Sequence, residues 1–169
     1  ADSGRGDVVL KNQLIYTDSS EFINELQMVD KLMAFQHGNG RDWWILIPRF
    51  QSNQFYTILF SENKIQNIFI QNMERFTDNS GGWAFFSPDG KYYAMTTRIY
   101  DNWDDHGRVE FYHFDRCTGL LSNRQSDVFP DYSYGRGSGG CFSPNSKYLY
   151  TTIDDFVYQY SILDGKMGN

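Results

Sequence analysis

A chain of 169 residues, 40% of them hydrophobic, can bury one sizeable core, which excludes an intrinsically disordered polypeptide. A net charge of −6 with no Lys/Arg cluster excludes a groove binder of duplex nucleic acid and a polybasic membrane-surface site. No apolar run is long enough to span a bilayer as a helix, and an aromatic content of 18% favours pleated β structure.

Taken in chain order, residues 1–10 lack the charged-then-apolar pattern of a secretory signal. Residues 8–17 read as a strand pair. Residues 21–31 carry apolar side chains at 22, 23, 26 and 29, too short a helical pattern to be more than a loop with one turn. A short strand is expected over 32–35, then the turn-rich His37-Gly38-Asn39-Gly40-Arg41-Asp42, then a strong strand over 43–47. Residues 48–54 read as a loop. Strands over 55–60 and 65–70 follow.

The next segment introduces a repeat. Phe86-Ser87-Pro88-Asp89-Gly90-Lys91-Tyr92 returns 56 residues later as Phe142-Ser143-Pro144-Asn145-Ser146-Lys147-Tyr148. Proline presets φ at the second turn position, and Gly90 can take positive φ, so each copy predicts a tight turn between strands. Each copy is also associated with a glycine pair, Gly81-Gly82 and Gly139-Gly140. The second halves match at an offset of 48 residues: Val109-Glu110-Phe111-Tyr112 against Val157-Tyr158-Gln159-Tyr160. The shorter offset implies an inner loop over 99–107 in the earlier copy. Residues 32–70 give a third, divergent copy with the same order of strands and turns.

Repeats of this size built from four short strands predict propeller blades, each of which buries its faces only against its neighbours. The expected fold is all-β: a partial β-propeller of about three four-stranded antiparallel blades at residues 31–76, 77–130 and 131–169, preceded by a partial strand pair at 7–30. The alternative architecture is a small β-sandwich made from two of the repeats. Three blades do not close a ring, so the expected partners are the rest of the chain's own propeller and neighbouring modules, or a protein or glycan ligand.

Several residues carry chemistry worth weighing. His37, Arg41 and Asp42 form a polar cluster; a His beside an Asp can act as a general base, but Asn39-Gly40 is a turn pair, and the expected role is a structural network tying that turn down. Asp101, Asp104 and Asp105 suggest calcium, yet Trp103 interrupts the alternation of oxygen ligands that a calcium loop needs, so no metal is expected. Trp103, in polar surroundings, is the best candidate for an exposed ligand contact, with Asp101 and Asp105 beside it. Trp43 and Trp44 are adjacent on a strand and point to opposite faces, so at least one is core. Gly135-Arg136-Gly137-Ser138-Gly139-Gly140 lacks the Lys-Ser/Thr of a phosphate loop and reads as a flexible entry into a strand. Ser87 and Ser143 lie in turns, outside any Gly-x-Ser-x-Gly context. No catalytic residue and no cofactor is expected. Cys117 and Cys141 have neither zinc spacing nor a disulfide framework, and leave open one bridge or two free thiols.

The two Phe-Ser-Pro segments resemble the WD-repeat-like, Tol-type propeller repeat. With His37-Gly38-Asn39-Gly40-Arg41-Asp42-Trp43-Trp44 and Phe114-Asp115-Arg116-Cys117-Thr118-Gly119, the chain over residues 6–165 is similar to propellers of large secreted Bacteroidetes proteins that end in a type IX secretion sorting domain. The resemblance implies export, an extracellular or cell-surface site and a non-catalytic binding or scaffold role. It carries over no catalytic residue. Rival functions are a propeller-type hydrolase or its gating domain, and a carbohydrate-binding module.

Overall fold

The computed structural model describes residues 31–50, 52–77, 81–101, 104–129, 137–153 and 156–168. The strand pair expected at 8–17 and, but for Lys31, the loop with one turn expected at 21–31 lie outside the described residues. Twelve strands form three four-stranded antiparallel sheets, with no helix among the described residues. The first sheet holds β1 (Met33–Gln36), β2 (Trp43–Pro48), β3 (Ser52–Ser61) and β4 (Lys64–Thr77). The second holds β5 (Ala84–Phe86), β6 (Tyr92–Asp101), β7 (Asp104–Phe114) and β8 (Leu121–Val128). The third holds β9 (Gly137–Phe142), β10 (Tyr148–Ile153), β11 (Phe156–Leu163) and β12 (Lys166–Gly168). Within each sheet the spatial order follows the chain order.

Aromatic side chains at alternate positions build two separate seams between the sheets. The first and second sheets bury Trp44, Leu46, Phe55, Tyr93, Tyr112 and Phe114 between them. The second and third bury Phe85, Phe111, Phe142, Leu149, Tyr160 and Ile162. Each such side chain contributes about 1.5–3 kcal/mol by burial, and the edge-to-face ring pairs add about 0.5–1.5 kcal/mol. Phe55 makes two of those pairs, with Tyr93 at 6.0 Å and Tyr112 at 5.7 Å. A sandwich has two sheets and one core. Here three sheets stack through two seams, so the fold is an arc of three propeller blades.

Three expectations are corrected. Residues 99–107 are not a loop: β6 and β7 pair continuously out to Asp101 opposite Asp104, leaving two residues between the strands. The β-favouring Ile99 and Tyr100 extend the hairpin, and extension pairs backbone groups that a loop would leave to solvent. The loop at 48–54 is also shorter, because β2 runs through Pro48, which sits at a strand end where its missing N–H is tolerated, and β3 begins at Ser52. Finally, Gly137–Phe142 is a strand rather than a flexible entry. Gly140 stands at the position of Ala84, and a Cβ there would lie 2.5 Å from the Phe85 ring, so glycine admits the close approach of the neighbouring blade.

Candidate binding surface

The three β-turns that follow the innermost strands are one structure in three sequences. In the second blade Ser87 N–H donates to Tyr92 O at 2.9 Å, Gly90 N–H donates to Ser87 O at 2.9 Å, and Asp89 Oδ1 accepts Lys91 N–H at 3.1 Å. The third blade repeats this with Ser143, Tyr148, Ser146 and Asn145, at 2.8, 2.8 and 3.1 Å. The first blade repeats it with His37, Asp42, Gly40 and Asn39: 2.8 Å from His37 N–H to Asp42 O, 2.9 Å from Gly40 N–H to His37 O, and 3.0 Å from Arg41 N–H to Asn39 Oδ1. His37 therefore stands where the serines stand, and its Nδ1 accepts Asn39 N–H at 3.0 Å.

Asp42 is the centre of that first turn. Its carboxylate accepts Ser61 Oγ–H at 2.5 Å, Asn39 Nδ2–H at 2.7 Å and Arg41 Nε–H at 3.3 Å. The Ser61 and Asn39 bonds hold the Asp42 carboxyl down to about 2. His37 and Asp42 meet through backbone, not as an acid–base pair.

The turn end of the arc is where blades are joined. Gln71 on β4 donates Nε2–H to Gly119 O at 2.9 Å and accepts Leu121 N–H on Oε1 at 2.8 Å. Gln125 on β8 does the same to the next blade, donating to Gly165 O at 2.9 Å and accepting Met167 N–H at 2.8 Å. His113 Nε2 also meets Gly165 O at 2.7 Å, which requires the Nε2–H tautomer. Arg116 reaches back to the first blade, donating Nε–H to Gln36 O at 3.1 Å, while its own carbonyl accepts Trp44 Nε1–H at 2.8 Å and Gly38 N–H at 2.9 Å. A shallow hollow of about 440 Å³ opens beside these groups, lined by Lys91, Tyr92, His113, Asp115, Arg116 and Ser122. Its His113 and Arg116 are engaged in holding blades together.

A buried ion pair escaped the sequence reading. Glu110 on β7 is fully buried, pairs with Arg124 at 2.8 Å and Arg108 at 3.7 Å, and accepts the Tyr112 hydroxyl. Burial and then the Glu110 charge push the hydroxyls of Tyr93 and Tyr112 well above the usual phenol range. The signal was present: Glu110 shares the parity of Tyr112 and Phe114, so it is an acid on the core-facing side of a strand.

The opposite end carries the β2–β3, β6–β7 and β10–β11 reversals, by the up-and-down order of each sheet. Asp101 closes β6 and Asp105 lies in β7, opposite Tyr100. They sit on the two arms of one hairpin, and Trp103 lies outside the described residues. Among the described residues, no three or more His, Cys, Asp or Glu side chains gather in a way that could hold a metal ion, and no helix is long and apolar enough to cross a membrane. Cys117 and Cys141 are both exposed and unbridged.

Comparison with known proteins gives fold likeness. No family model and no curated protein matches the chain. A proposed 6-phosphogluconolactonase from Bacteroides fragilis superposes with a TM-score of 0.54 at 16% identity, over 80% of this chain and 36% of that one. Another, from Bacteroides uniformis, gives 0.53 at 18% identity, over 79% and 37%. The chain thus spans little more than a third of the length of these structures, and at such identities the likeness shows the fold alone.

Proposed function

We propose that this arc is a non-catalytic binding or scaffold part of a larger propeller in an exported bacterial protein. The observation that carries the reading is the division of labour between its two ends. At the turn end, Gln71, His113, Arg116 and Gln125 are bonded to neighbouring blades. The opposite end carries the long β6–β7 hairpin, in which Asp101 pairs with Asp104, and the sequence there also holds Trp103 and Asp105. An acidic sequence with one large aromatic suits a ligand offering hydroxyls or a cationic group beside a flat apolar face, as glycans and peptides do. Export is supported by the resemblance of the two Phe-Ser-Pro repeats to secreted propellers. Cell fractionation of the source bacterium tests it: a cytoplasmic product contradicts export.

The binding role is tested by titrating the protein with oligosaccharides and basic peptides, following tryptophan fluorescence. Saturable binding that Trp103→Ala abolishes is the expected result. Absence of binding to both classes contradicts it.

A second reading is a propeller-type hydrolase, favoured by the two structural neighbours proposed to act on 6-phosphogluconolactone. Hydrolysis of that lactone above the spontaneous rate by the purified protein is the result that favours this reading over the first.

A further inference from the structure

We infer that the outward face of the third blade is the docking face for one more blade of the same repeat, supplied by polypeptide beyond residue 169 in a longer protein. The inference rests on the propeller reading and names the partner that reading needs.

The repeat itself identifies the face. On β11, Tyr160 and Ile162 point into the seam with the second blade, at 2% and 6% exposure, while Val157 and Leu163 point the other way at 70% and 71%. The outward side also carries Tyr148, 38% exposed, and Cys141, paired with Tyr150 in the sheet. Shifting the second blade's sequence by the repeat offsets sets Phe85 on Cys141, Ala94 on Tyr150 and Val109 on Val157. Phe85, Ala94 and Val109 are 8%, 0% and 0% exposed, and the blade that covers them is the third. The same structural positions are thus sealed in one blade and open in the next.

The partner's chemistry follows from the two seams already formed. Phe86 packs on Phe35 of the preceding blade at 5.1 Å, and Phe142 packs on Phe85 at 6.1 Å. Phe35, Phe85 and Cys141 are equivalent positions, so the incoming blade lays the large apolar residue of its own Phe-Ser-Pro-like strand over Cys141. A second copy of this chain would lay the far side of its first blade there, and at the position of Phe86 and Phe142 that blade carries Gln36 rather than a large apolar residue.

The two cysteines supply the test, because both are exposed in the chain of 169 residues and only Cys141 lies on the proposed face. Purified chain 1–169 and the native product isolated from its source are treated with iodoacetamide, and the two cysteine peptides are followed by mass spectrometry alongside native mass. The expected result is that both thiols of chain 1–169 react, whereas in a longer native product Cys141 reacts at least about tenfold more slowly than Cys117, its exposure then requiring local opening. Equal rates in the native product overturn the inference, as does a native product no longer than this chain. Protection of Cys141 in chain 1–169 itself, with doubled native mass, also overturns it by making a second copy the occupant. The ligand titration above is unaffected by any of these results; unequal or equal thiol rates bear on this inference alone, whereas a native product no longer than this chain overturns the larger propeller as well.

Discussion

Gln71 and Leu121 are joined across the first seam: the Gln71 side-chain oxygen accepts the Leu121 amide at 2.8 Å while its nitrogen donates to Gly119 O at 2.9 Å. Gln125 and Met167 reproduce the relation across the second seam at 2.8 Å. A glutamine has one donor group and one acceptor on the same planar amide, so it can satisfy both backbone groups at the edge of a strand that has no further neighbour in its own sheet. Seams of apolar rings alone are non-directional; these amides fix the register of one blade on the next.

Replacing Gln71 by Leu keeps the volume and removes the bond. It leaves the buried Gly119 carbonyl, the Leu121 amide and the Thr57 hydroxyl without that partner. The expected loss is about 1–3 kcal/mol in urea unfolding, at the upper end for Gln71, which is buried, and lower for Gln125→Leu, which is half-buried.

Two tyrosines side by side should respond oppositely to loss of the hydroxyl. Tyr93 is fully buried and its hydroxyl has no hydrogen-bond partner, whereas Tyr112 donates to Glu110. Tyr93→Phe is expected to leave stability unchanged or raise it, and Tyr112→Phe to lower it by about 1.5–3 kcal/mol, because its bond is to a charged group. Thermal unfolding of the two variants distinguishes them.

Asp42 sets an acid-sensitive step. Its carboxyl is lowered from 3.8 to about 2 in the folded chain by the Ser61 and Asn39 bonds. A depressed folded value means that the contribution is complete above 3.8 and is lost as pH falls through about 2. The stability difference between the parent and Asp42→Asn is therefore expected to shrink between those two values, measured by denaturant titration at each pH. A difference that stays constant contradicts the assignment.

Gly40 and Gly90 occupy the same turn position at φ of 73° and 70°, yet differ in surroundings. A Cβ on Gly40 meets nothing within 4 Å, whereas one on Gly90 lies 2.1 Å from the Phe35 ring. Gly40→Ala should cost about 1 kcal/mol for the left-handed conformation, and Gly90→Ala distinctly more, since it also forces Phe35 out of the first seam. Equal midpoints in chemical denaturation would argue against that seam.

The blades were legible because their turns are written in residues with narrow conformational preferences: Pro88 and Pro144 preset φ, and Gly90 takes positive φ. The divergent first blade was legible too, since Asn39-Gly40 serves where Asp89-Gly90 does. The joints between blades were not. Gln71 and Gln125 differ from other polar strand residues only in what lies across the seam, information that no local pattern carries. The polar cluster of His37, Arg41 and Asp42 drew attention by composition, and its equivalence to two serine-proline turns emerged only from backbone bonding. Residues 99–107 misled because their acids mimic a loop, while cross-strand pairing, a non-local term, decided for extension.

Amide hydrogen exchange of Leu121 and Met167 tests the stacked-blade account most directly. Leu121 begins β8, Met167 is the middle residue of β12, and both amides are held by glutamines of the preceding blade. The account predicts slow exchange for both in the parent protein, with Gln71→Leu accelerating Leu121 and Gln125→Leu accelerating Met167, each without the other. Leu121 and Met167 exchanging at unprotected rates in the parent protein would contradict it.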